Sequence, residues 1–164
     1  MIARVPTTSA EHHFAHAAER HYWDAVLLHD NGRLCNADHH FGFAVECALK
    51  SLLLRFTSAV TLNPKKEGKP GSKRPWYLDP ATGKPRDLGH LPWVAADLAL
   101  LARGRSATRT AAALGGLSAF DAWSVEERYR DGTAVAAQDV AARRTVAHAI
   151  ITVHQQALIN GGLL

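Results

Sequence analysis

The chain has 164 residues, 47% hydrophobic and 21% charged, which suits a single globular domain over 1–164 and excludes a wholly disordered chain. No apolar run approaches the ~18 residues of a membrane-spanning helix, and the N-terminal MIARVPTTSAEHHF lacks the layout of a signal peptide. Cys35 and Cys47, without CxxC spacing, make neither a disulfide framework nor a zinc ribbon, so the expectation is a cytoplasmic protein with no membrane partner.

The predicted elements begin with a helix over 8–31. Thr8-Ser9-Ala10-Glu11 is a capping-box signal, Phe14, Ala18, Ala25 and Leu28 recur at helical spacing, and Asn31-Gly32 supplies the stop. A second helix runs from an Asn36 cap to about residue 56, with Phe41, Val45, Ala48, Leu52 and Phe56 as one apolar stripe. Residues 58–90 break both periodicities with five prolines and read as a long excursion. Seven Lys and Arg against three Asp and Glu put the whole net charge of +4 in this segment. Helix signals return over 92–104, after an early Pro92, and over 106–114, up to Gly115-Gly116. Residues 118–133 are mixed, and a last helix spans 136–160 with Val140, Val146, Ile150, Val153 and Ala157 inward and Gly161-Gly162 as terminator. No strand-like alternation is present. The expected fold is all-α: an antiparallel, up-and-down bundle of four to five helices with a basic Pro/Gly-rich excursion between helices 2 and 3.

Ten histidines raise the question of a metal. His12, His16 and Glu19 share a helix face, but the spacing is not HExxH, and a solvated histidine-rich face is the favoured reading; no metal and no cofactor is expected. His39, Glu46 and Lys50 form a polar stripe beside the apolar one on helix 2, and Arg20 with Asp24 offers a matching stripe on helix 1. Two roles are open to that stripe: an exposed face, or a half-buried Glu46 paired with a basic group. Trp123 and Tyr129 read as core, and Cys47 as a small buried thiol rather than a nucleophile.

The run AERHYWDAVLLHDNGRLCNADHHFGFAVECALKSLL resembles the first helical hairpin of HEPN-domain proteins, with Gly42, Glu46, Ala48, Leu49 and Lys50 on the family's second-helix pattern. Gly89-His90-Leu91 is similar to the start of the family's third helix, and Glu127-Arg128-Tyr129-Arg130-Asp131 to the Arg-Tyr-x-Asp stretch before its last. The resemblance covers nearly the whole chain in order. It implies an antiparallel helical bundle, commonly dimeric, from prokaryotic toxin–antitoxin, defence or stress systems. RNA or a nucleotide is the implied ligand, and a second copy or a cognate protein the implied partner. Its phosphate would face Glu46, Lys50, His90 and Arg128, with Asp24, His39 and Tyr129 nearby. An inactive interaction module is the alternative.

Many family members are metal-independent ribonucleases with an Arg-x4–6-His motif, in which arginine holds the scissile phosphate and histidine moves a proton. Arg143-x4-His148 fits that spacing, as do Arg33-x5-His39 and Arg33-x6-His40, so spacing alone singles out none. Position in the last helix favours Arg143, Arg144 and His148. Arg143 and His148 are five positions apart, roughly 140° around a helix, whereas Arg144 shares the face of His148. In the excursion, Lys65, Lys66, Lys69, Lys73, Arg74 and Trp76 are candidates for nucleic-acid contact through counterion release and base stacking. The segment at 76–80 is alternatively a lid folded over the helices.

Overall fold

A computed structural model describes residues 10–93, 97, 99–100 and 108–161. It is mainly α-helical, with one small two-stranded sheet. Helix α1 (Ala10–Asp30) and helix α2 (Leu34–Phe56) are joined by a tight turn in which the Arg33 amide bonds the Leu28 carbonyl at 2.8 Å. The turn is short enough to force the two helices side by side, and the small residues Ala18 and Ala25 of α1 are fully buried there. The capping box at 8–11 lies largely outside the described residues. Helix α2 starts earlier than its predicted Asn36 cap, which therefore sits inside the first turn.

Helix α2 is the axis of the core. Besides the predicted stripe, Ala37, Ala44, Leu49 and Leu53 are buried. An apolar surface that wide is covered from more than one side, by α1 and by helix α4 (Ala137–Asn160). Helix α4 buries Val140, Ala147, Ile150, Ile151 and Ala157, and ends at Gly161 with φ of 67°, the left-handed stop its sequence predicts. Helix α3 (Thr108–Gly115) leads into two 3-10 turns, Gly116–Phe120 and Val125–Tyr129. Most of the predicted helix at 92–104 lies outside the described residues; Asp97, Ala99 and Leu100 are helical.

The expected absence of strands is corrected. Strand β1 (Trp76–Leu78) pairs antiparallel with β2 (Pro85–Asp87) in the register Trp76↔Asp87, Tyr77↔Arg86, Leu78↔Pro85, and Trp76 also bridges Thr61. Strands of three residues are too short for period-two alternation to show in sequence. The excursion is anchored by its apolar residues: Val60, Tyr77 and Leu88 are buried, and the Tyr77 hydroxyl donates to Asp97 at 2.8 Å. No helix of the described residues is long and apolar enough to cross a membrane.

Candidate functional site

Glu46 and Lys50 of the α2 polar stripe are buried, not solvated, and His39 is half-buried. Glu46 accepts from Lys50 Nζ at 2.7 Å, from His90 Nδ1 at 3.1 Å and from the Leu91 amide at 3.2 Å. Glu46 and Lys50 are both almost completely buried, whereas His90 is exposed at its outer edge. Glu46 thus fastens the backbone after the hairpin onto α2. Both residues are corrected as phosphate ligands: the ammonium is committed to Glu46, and the pair is almost completely buried. His90 joins them as predicted by their grouping, but Arg128 does not.

Arg128 lies across a neighbouring cleft of about 320 Å³ between the first turns of α2 and the second 3-10 turn, lined by Asn36, His39, His40, Arg128 and Arg130 and also by the acidic Glu127 and Asp131. Its guanidinium stands 4.6 Å from the centroid of the Tyr129 ring, which is 72% exposed. Tyr129 is therefore corrected from core residue to surface platform, whereas Trp123 is buried as expected. Among the described residues no carboxylate pairs with Arg128; Arg130 is paired with Glu127 at 3.0 Å. Two close approaches shape this cleft. A Cβ added at Gly42 would overlap the Trp123 ring, so only glycine lets that indole lie across α2 and stack on His39. Gly132, with φ of 79°, packs on Cys35, whose thiol donates to its carbonyl at 3.1 Å.

His39 is wedged between Trp123 and Phe43, and among the described residues its Nδ1 has no hydrogen-bond partner. Burial holds the His39 imidazole below its usual pKa, with His40 and Arg128 adding to the shift. His21 of α1 faces His40 of α2, Nδ1 to Nδ1, at 3.1 Å, and burial followed by the His40 charge lowers its pKa as well. Asp24 lies beside these two. Sequence reasoning missed His21, and it met His40 and Arg130 only as members of an Arg-x6-His spacing and of the Arg-Tyr-x-Asp stretch, not as parts of this site. The adjacent pair His39-His40 was a signal, but the partner across the helix hairpin depends on how α1 packs.

The last helix divides its candidates. Arg143 is buried, with Nη1 2.8 Å from both Asp38 oxygens and Nε 2.9 Å from the Ala119 carbonyl. It is corrected from catalytic candidate to structural ion pair. Arg144 and His148 line one open cleft with Tyr22 and Trp23. The Tyr22 hydroxyl meets His148 Nδ1 at 2.9 Å, and Arg144 donates to Asp30 Oδ1 at 2.6 Å. His12, by contrast, faces Arg55 at 3.2 Å. Burial pushes the Cys47 thiol up to about 11, so it is no nucleophile at neutral pH.

In the excursion, Lys65 is paired with Asp87, and Trp76 donates its indole N–H to the Asn63 carbonyl at 2.8 Å. Lys66, Lys69, Lys73 and Arg74 are exposed. Comparisons with protein-family models, curated proteins and solved structures find no match to this chain.

Proposed function

We propose that the chain is a HEPN-like helical-bundle protein of a prokaryotic toxin–antitoxin, defence or stress system, and that it binds RNA or a nucleotide through its phosphate at the Arg128 cleft. The observation that carries this reading is a guanidinium with no carboxylate partner among the described residues, held over an exposed tyrosine and facing two histidines. Arg128 supplies a fork of donors for phosphate oxygens, and Tyr129 a face on which a base stacks. Asn36, His39 and His40 add donors along the cleft wall. The order of the hairpin, Gly-His-Leu and Arg-Tyr-x-Asp motifs supports the family reading.

Fluorescence anisotropy with a labelled mixed-sequence single-stranded RNA and with a labelled nucleotide tests this. Arg128→Ala is expected to weaken binding about tenfold or more with an unchanged melting temperature, because the side chain is exposed. Wild-type-like affinity in that variant removes the cleft from the account. A second reading, metal-independent ribonuclease activity, is favoured by Arg144 and His148 sharing one cleft with Tyr22 on the imidazole. Chelator-resistant cleavage of the same RNA, lost in His148→Ala but retained in Arg128→Ala, would select it.

A further inference from the structure

We propose that His21, Asp24 and His40 form a binding site for a divalent transition-metal ion, with zinc as the best-matched ion. One ligand atom from each of the three lies within 4.8 Å of the other two, and the two imidazole Nδ1 atoms are 3.1 Å apart. Ligand bonds of about 2.0–2.1 Å in a tetrahedral zinc site put neighbouring donor atoms about 3.3–3.4 Å apart, so the histidine edge is already near its liganded length. Asp24 sits one turn beyond His21 on α1 and is exposed, which leaves its carboxylate free to swing inward. His40 comes from the facing turn of α2, so the ion would join the two helices that form the core hairpin.

The donor set selects the ion. Two imidazole nitrogens and one carboxylate suit zinc and its first-row neighbours, whereas calcium and magnesium need mostly oxygen ligands. Two facing Nδ1 atoms without a metal require one ring to carry its proton there; a bound cation instead takes a lone pair from both. Three protein ligands leave at least one coordination position for water or an oxygen of a bound group. His40 also lines the Arg128 cleft, so the metal site and the proposed phosphate site share a residue. The metal site itself stands on the three side chains and does not depend on the phosphate reading.

Zinc alone, titrated into chelator-stripped, tag-free protein against a chromophoric competitor, tests the proposal, with cobalt substitution reporting the ligand set. The expected result is about one ion per chain and a tetrahedral-type cobalt spectrum. His40→Ala should weaken zinc binding by at least about tenfold, and Asp24→Asn should weaken it and alter the cobalt bands. Because Asp24 is exposed, its variant keeps the test decisive if His40→Ala lowers the melting temperature. The double variant His12→Ala/His16→Ala should bind zinc as the wild type does. Absence of zinc binding, affinity unchanged in Asp24→Asn, or binding lost only with His12 and His16 would each overturn the site.

Discussion

At the residue scale, the Arg143–Asp38 pair shows how a charged motif candidate becomes a core element. Both groups are buried, and burial raises the Asp38 carboxyl above its usual range while Arg143 opposes that shift. Removing one partner leaves a buried charge uncompensated, which typically costs about 3–5 kcal/mol, whereas replacing both with apolar groups is often near neutral. Arg143→Met is therefore expected to lower unfolding free energy by about that amount in urea denaturation, and Asp38→Leu/Arg143→Met to recover most of it. A second residue-scale contrast lies in the glycines. Gly42→Ala drives a Cβ into the Trp123 indole and is expected to destabilise by about 1–3 kcal/mol, while Gly89→Ala meets nothing within 4 Å and should stay near neutral by the same measurement.

At the element scale, the helices were legible in the sequence and their partnerships were not. Apolar residues at helical spacing located α1, α2 and α4, and the glycines at 32 and 161 marked where α1 and α4 stop, although α2 is buried on more than one side and its predicted Asn36 cap lies within the helix. The excursion hid its hairpin because its fold rests on three scattered apolar anchors, Val60, Tyr77 and Leu88, amid prolines and charges. The candidate site followed the same division. Glu46, Lys50 and His90 could be grouped from helix spacing and a family-like motif, but the His21–His40 contact and the burial of Arg143 depend on helix packing. Among the excursion's exposed cations, the four predicted contacts Lys66, Lys69, Lys73 and Arg74 form no ion pair among the described residues. If they touch phosphates, replacing all four with Gln reduces the slope of log K against log salt on single-stranded RNA by up to about 0.7 for each phosphate left without its cation. Binding measured between low and high salt checks this. A slope equal to that of the wild type would assign the charge to solvation alone.

At the scale of the whole molecule, histidines buried in the neutral form couple the fold to pH. His154 is fully buried, its Nε2 lies 3.0 Å from the Ser51 hydroxyl, and burial lowers its pKa; burial acts in the same direction on His21 and His39. A folded-state pKa below the unfolded value of about 6.5 means the unfolded chain binds protons more readily as the pH falls. This contribution is therefore complete above about pH 6.5 and is lost as the pH drops toward the folded values, with a slope of at most about 1.4 kcal/mol per pH unit for each histidine. Leu at 154 removes one titrating group without leaving a charge to bury. In urea denaturation with chelator present, the wild type should lose stability between about pH 7.5 and 5.5, and His154→Leu should lose measurably less over the same interval. Identical losses would place the pH sensitivity on His21 and His39. Added zinc should then steepen the wild-type loss, because protons compete with the ion for the imidazoles.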